Sequence, residues 1–233
     1  SAACEEIELA LKKLPLFAAL REQDLKTLAS EAKIRILKGG EVLYFEGEEG
    51  IDCFLVLDGL LLMVKSSDCG KELIVDFVSP GDILGLTMVY PSAQSGVTVR
   101  AQKLSRIICI PSPLLNPFLE SNPQLYRELL LALSERLRRS HNFSRSLAHD
   151  RAQVRVASAL VALANRMVDC NNGEFPVVSL SRQELADLTG ITVETAIRVT
   201  KAMERDGLLD LKRPYHIGLK SIEALRKISE ERV

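Results

Sequence analysis

The feature that most constrains this chain lies between residues 32 and 111. Short β-rich runs alternate there with glycine turns: IRIL, then GG, EVLYFEG, IDCFLVLDG, LLLMVK, ELIVDFVSPGD, GVTVRA and LSRIICIP. Runs of four to eight residues, with turn signals about every ten, predict a small β-roll or barrel. The glycines at 39, 40, 47, 50, 59, 70, 81 and 85 are expected where tight turns need φ > 0. Two short helical patterns precede the roll. Ile7, Leu11 and Leu14 recur at helical spacing until Pro15, and Leu25, Leu28 and Ala29 mark a second helix over 22–32.

Asn122-Pro123 opens a long helix, with Asn a good N-cap and Pro favoured at the first helical position. Tyr126, Leu130, Leu133, Leu137, Ser140, Ser144 and Leu147 then follow at alternating spacings of 4 and 3. That is a heptad seam, and it predicts a dimer interface. The alternative is an amphipathic helix lying on the roll. A further helix over 151–167 carries Val154, Ala157, Leu160, Val161 and Ala164, and ends in the turn-rich DCNNGE.

Residues 180–207 read LSRQELADLTGITVETAIRVTKAMERDG. Ser181 and Glu184 form a capping box. Gly190 ends one short helix, and Thr192 caps the next. Two short helices joined by a glycine turn are the helix-turn-helix pattern, whose second helix enters the major groove. Glu194 and Arg198 stand four apart near the front of that helix. Arg can donate two bonds to guanine, and Glu can accept from cytosine N4. The alternative is a solvated i,i+4 ion pair. LLDLKRPYHIGL follows as a two-strand wing with Lys212 and Arg213 at its tip. The expected DNA contacts are Ser181, Arg182, Gln183, Thr192, Val193, Glu194, Thr195, Ile197, Arg198 and Lys201.

The predicted fold class is α+β. Residues 1–121 form a β-roll sensor domain with N-terminal helices, 122–149 a dimerisation helix, and 150–233 a winged helix-turn-helix. The chain has 233 residues and a formal net charge of −1, so it is no non-specific nucleic-acid coat. Residues 150–233 carry thirteen Lys and Arg against twelve Asp and Glu, a net +1. DNA affinity must then come largely from base contacts. The five cysteines form no CxxC pair, and SAACEEIELALKK carries acids where a signal peptide would be apolar. Both fit a reducing cytosol. No apolar run reaches the ~18 residues of a membrane span. No P-loop, metal-spaced His/Cys group or evident Ser-His-Asp arrangement supports an enzyme.

The sequence resembles the Crp/Fnr superfamily of bacterial transcription regulators over nearly its whole length. GGEVLYFEGE, FLVLDG, GKELIVDFVSPGDILG, the closing TVRA, the long helix and LSRQELADLTGITVETAIR carry the resemblance. It implies a cyclic-nucleotide-binding-like roll, a dimer helix and a winged helix-turn-helix. It also implies double-stranded DNA, a second copy of the chain and RNA polymerase as partners. Glu194 and Arg198 match the family's base-reading pair. Val193 resembles the Fnr branch, where the cyclic-AMP receptor branch has arginine. This favours a TTGA-N6-TCAA palindrome over TGTGA half-sites. Ile197 stands where the Fnr branch usually has serine.

The expected effector pocket comprises Leu84, Gly85, Leu86, Met88, Ser95, Gly96, Ser140 and His141. Cyclic-nucleotide binders carry a glutamate and an Arg-Ser pair in the loop over 81–101. Leu86 takes the glutamate's place, and Ser95-Gly96 fall where Arg-Ser would be. A buried phosphate would lose charge-assisted bonds worth about 1.5–3 kcal/mol each, so cyclic AMP is not the expected effector. An iron–sulfur cluster is not expected either, because only Cys4 is near the N-terminus and Cys109 is one residue out of register. Haem on His141 or Met88, another small organic effector, or no effector all stay open. So does a role for RLRRSHNFSR, residues 136–145, in receiving carboxylates. The competing class is a ligand-binding module or enzyme regulatory subunit without specific DNA readout.

Overall fold

The computed structural model describes residues 2–50, 52–86, 93–166 and 175–231. They divide into two compact units, one of residues 1–65 and 76–139, the other of 66–75 and 140–233.

The first unit opens with helices α1 (Ala2–Lys12) and α2 (Glu22–Glu31), joined through a 3-10 turn at Pro15–Phe17. Eight strands follow: β1 (Lys33–Leu37), β2 (Val42–Tyr44), β3 (Cys53–Asp58), β4 (Leu61–Ser66), β5 (Glu72–Val78), β6 (Ile83–Leu84), β7 (Thr98–Ala101) and β8 (Ser105–Ile110). They form two four-stranded sheets, in orders β1-β8-β3-β6 and β2-β7-β4-β5. The predicted β-roll is this pair of sheets. Apolar side chains close its interior, among them Val56, Leu61, Ile74, Leu84, Val99 and Ile107, each no more than 2% exposed.

Of the eight turn glycines, all but Gly39 have positive φ. Gly39 is there for space: a Cβ would stand 3.3 Å from the Gln102 carbonyl oxygen. Gly85 needs both freedoms. Its φ is +78°, and a Cβ would lie 2.2 Å from the carbonyl oxygen of Asp52. Strand β6 could not then hold its pairing of Leu84 with Phe54. Gly85→Ala should lower stability by about 3 kcal/mol or more, combining left-handed strain with a backbone clash. A urea titration followed by circular dichroism checks this, and an unchanged midpoint would contradict it.

Helix α3 (Ser112–Ser121) was not expected from the sequence, because SPLLNPFLES contains two prolines. One sits at its first turn, where the N–H is not needed. Pro117 lies inside the helix, which Leu115 and Leu119 anchor by burial. Helix α4 (Pro123–His149) starts as predicted: Asn122 Oδ1 accepts from the backbone N–H groups of Gln124 and Leu125 at 3.1 and 3.2 Å. Leu125 and Leu129 of α4 join α1, α2 and α3 in one apolar cluster with Phe17, Leu28 and Ile108.

The second unit contains α5 (Ala152–Arg166), β9 (Val177–Ser179), α6 (Arg182–Thr189), α7 (Val193–Arg205), β10 (Leu209–Asp210), β11 (His216–Leu219) and α8 (Ile222–Glu230). The predicted end of α5 at Met167 and the DCNNGE turn lie outside the described residues. The wing has the two expected strands plus a third, in the order β10-β11-β9. Among the described residues no helix is long and apolar enough to cross a membrane.

Candidate functional site

The helix-turn-helix is built as its sequence requires. Ser181 Oγ accepts from the Glu184 N–H at 3.0 Å, and Glu184 Oε2 accepts from the Ser181 N–H at 2.8 Å. Gly190 caps α6 in the left-handed region, at φ 61° and ψ 38°. Thr192 then caps α7, its hydroxyl accepting from the Thr195 N–H at 3.3 Å. Helix α7 is sharply two-faced. Ala196, Val199, Thr200 and Met203 are buried, and Thr200 Oγ1 donates to the Ala196 carbonyl at 2.8 Å.

The opposite face is the candidate DNA-reading surface. Glu194, Ile197, Arg198 and Lys201 are exposed and recur at i, i+3, i+4 and i+7, one stripe along the helix. Arg198 and Lys201 have no side-chain partner among the described residues, and Arg198 does not pair with Glu194. The Glu194 carboxyl instead turns toward the helix start. Its own backbone N–H and the Thr192 hydroxyl hold it below the usual carboxylate range. The i,i+4 ion pair is therefore absent, and the guanidinium keeps its donors for another acceptor.

The other expected contacts divide. Val193 and Thr195 are half-buried at the front of α7. Gln183 is exposed, with its Nε2 donating to Asp187 at 2.8 Å. Ser181 is committed to its cap. Arg182 is half-buried, and that burial lowers its pKa against the pull of Glu204. It is thus less available to a phosphate than its sequence position suggested. Lys212 and Arg213 are exposed at the wing tip, as expected. Sequence reasoning missed Tyr215 beside them. It is 72% exposed and has φ +61°, the sole non-glycine positive φ among the described residues. Its carbonyl accepts from the Leu180 N–H at 2.9 Å, which fixes the strained turn.

The seam of α4 is only partly free. Leu130 and Leu137 are 59% and 57% exposed, and Ser140 and Ser144 are also open. Leu131, outside the expected seam, is 55% exposed next to them. Tyr126 and Leu133 pack instead against the apolar cluster of their own chain. Leu147 lies against the helix-turn-helix glycine, since a Cβ on Gly190 would be 2.6 Å from Leu147 Cδ2. These three seam residues pack within their own chain: Tyr126 and Leu133 because the first turns of α4 also close the core, Leu147 because the end of α4 meets the helix-turn-helix turn.

The expected effector residues are not all brought together. Leu84 is fully buried in β6. Leu86 is a correction: it belongs to the apolar cluster, against a void of about 10 Å³ shared with Leu16, Phe17, Leu115, Leu119, Leu125 and Leu129. It is core, drawn in by the N-terminal helices. Ser95 is buried, its hydroxyl donating to the Val97 carbonyl at 2.7 Å. Gly96 is exposed. Met88 lies outside the described residues. Ser140 and His141 are exposed and fall in the second unit. The His141 ring has no orienting partner among the described residues, so it lacks the support an axial haem ligand usually has.

Cys53, Cys69 and Cys109 are free thiols among the described residues. Burial pushes Cys53 up to about 12 and also raises Cys109, while the Ser67 hydroxyl pulls the exposed Cys69 down. Among the described residues no three His, Cys, Asp or Glu side chains converge as a metal site.

A β-roll followed by a winged helix-turn-helix with an open, amphipathic second helix defines a class of DNA-binding regulator. Residues 34–122 match the model of the cyclic nucleotide-binding domain, and 154–228 that of the Crp-like helix-turn-helix domain. The transcriptional activator protein Anr of Pseudomonas aeruginosa is 31% identical over 227 residues, covering 94% of this chain and 90% of that protein. The structure of FixK2 from Bradyrhizobium japonicum is similar at a TM-score of 0.75 and 22% identity, covering 84% of this chain and 96% of that one. A Crp/Fnr-family transcriptional regulator from Thermus thermophilus is similar at a TM-score of 0.74 and 23% identity, covering 86% of this chain and all of that one. The chain belongs to the Crp/Fnr family, and it is a transcription regulator of that type.

Proposed function

We propose that the chain acts as a homodimer that reads a TTGA-N6-TCAA palindrome and is gated by a small organic effector other than cyclic AMP. In this reading residues 1–121 sense, 122–149 dimerise and 150–233 bind double-stranded DNA, with RNA polymerase as the downstream partner. The exposed stripe of Glu194, Ile197, Arg198 and Lys201 carries it, because Arg198 offers an unpaired guanidinium at the face that enters the groove. Exposed Leu130 and Leu137 support a second copy along α4. The burial of Leu86, where a nucleotide binder carries glutamate, supports an effector without a cyclic phosphate.

A gel shift tests the DNA reading. A TTGA-N6-TCAA duplex should give a discrete complex that scrambled DNA competes poorly. Equal competition would favour a ligand-binding module without specific readout.

A further inference from the structure

The loop over 81–101 is uncharged between Asp82 and Arg100, but helix α4 is not. Leu125 and Leu129 of α4 are buried, and Arg136 lies seven residues beyond Leu129 on the same face. Its Nη2 donates to the carbonyl of Ile83, on β6, at 3.4 Å. Arg139, three residues on, meets Asp76 of β5 at 3.4 Å. Both are partly buried; the Arg139 and Asp76 side chains are 29% and 19% exposed.

Among the described residues these two guanidinium groups are poorly matched. A guanidinium carries five N–H donors, which suit a planar two-oxygen acceptor at about 2.7–2.9 Å. Among the described residues each has one long contact, and Arg139 Nε is buried without a hydrogen-bond partner. Burial raises the Asp76 carboxyl pKa in spite of Arg139, and the two groups meet only at 3.4 Å, outside the range of a short charge-assisted bond. Asp82, the other nearby acid, accepts from the N–H and hydroxyl of Ser79 at 2.9 and 3.0 Å.

Arg136 lies close enough to Tyr44 of β2 to act on its hydroxyl electrostatically. Tyr44 and Phe54 stack with ring centroids 6.0 Å apart. Tyr44 is 6% exposed and is pushed up to about 12 by burial, partly offset by the charge of Arg136. The charge of Arg136 therefore reaches both Tyr44 and Asp76.

We propose that the first unit binds a small organic carboxylate, held by Arg136 and Arg139 of α4 beside Tyr44 and Asp76 of the roll. This names the effector class and rests on the reading of this unit as a sensor. Two arginines against one aspartate leave a single positive charge, which matches a monoanion, and the buried ring of Tyr44 favours an organic acid over an inorganic ion. The incoming carboxylate replaces Asp76 on Arg139. Strand β5 and helix α4 are then joined through the ligand instead of directly, a differential contact of the kind that shifts a two-state equilibrium.

The test is calorimetry on the full chain without DNA. The probes are monocarboxylates from acetate to benzoate, each with its neutral amide, and sulfate. At least one carboxylate should bind while its amide and sulfate do not. Arg136→Gln and Arg139→Gln should each weaken that binding about tenfold or more, the loss expected for one charge-assisted contact. Asp76→Asn, which frees Arg139, should tighten it. Circular dichroism confirms that each variant is folded. Equal binding of acid and amide, binding of sulfate as tight as the best carboxylate, or no binding to either the wild type or Asp76→Asn overturns the proposal. Anisotropy on the TTGA palindrome with the same preparations separates the two readings. Intact DNA preference without carboxylate binding removes the effector class alone. Carboxylate binding without DNA preference removes the regulator reading alone.

Discussion

Replacing Arg198 by alanine should lower affinity for the TTGA palindrome by about 1–3 kcal/mol per lost bidentate contact, roughly 5- to 150-fold. The side chain is exposed on α7 and pairs with nothing in its own domain among the described residues. Its removal leaves the buried face of Ala196, Val199, Thr200 and Met203 untouched. Stability should therefore stay within ~0.5 kcal/mol while binding collapses. The net charge of +1 over residues 150–233 makes the loss more visible, because little non-specific attraction remains to mask it. Affinity for scrambled DNA should change far less than affinity for the palindrome. A fluorescence anisotropy titration at fixed salt measures both. An Arg198→Ala protein that binds the palindrome as tightly as wild type would remove Arg198 from base recognition.

The second large effect belongs to α4. Leu130 and Leu137 stand seven residues apart and are 59% and 57% exposed. In a two-fold dimer the pair counts twice, so four leucines lose water together. At roughly 1 kcal/mol or more each, Leu130→Glu with Leu137→Glu should weaken dimerisation by at least ~4 kcal/mol, about a thousandfold. Four carboxylates facing each other add repulsion. Glutamate is a good helix former, and Leu125 and Leu129, which anchor the helix to its own core, stay in place. The variant should sediment as a folded monomer at micromolar concentration. A dimer of unchanged affinity would place the interface elsewhere.

How much of this was legible depended on how local each signal is. The roll and the helix-turn-helix were readable because their turns write themselves into the sequence. Gly85 and Gly190 sit at positive φ, and Ser181 with Glu184 closes a box within four residues. Helix α3 was missed because its two prolines argue locally against a helix; the burial of Leu115 and Leu119 that decides the matter is tertiary. Helix α8, capped by Ser221 Oγ accepting from the Ala224 N–H at 3.3 Å, carried a readable cap that was overlooked. Strand β9 spans only three residues, too few to show an alternation.

The site was legible on its DNA side and less so on its effector side. The stripe of Glu194, Arg198 and Lys201 follows from helical periodicity alone. Leu86 did not: a loop position that aligns with a ligand contact was drawn into the core by Phe17 and Leu129, which come from distant parts of the chain. The arginines of RLRRSHNFSR divide in the same way. Arg138 pairs with Glu135 on the surface at 2.7 Å, while Arg139, its neighbour, turns to Asp76. Only the packed register of α4 distinguishes them.

The central claim is that two recognition helices, fixed by one two-fold axis, read two half-sites at once. TTGA-N6-TCAA places the half-site centres about 10 base pairs apart, one helical turn or roughly 34 Å. Five added base pairs move one half-site to the opposite face of the duplex while leaving every base of both half-sites intact. The decisive measurement is the anisotropy titration of the wild-type chain on the N6 and N11 duplexes at the same salt. Affinity on N11 should fall at least tenfold, to that of a duplex with a single half-site. Equal affinity on the two spacings would contradict the account, because each domain would then bind on its own and the dimer would have no part in recognition.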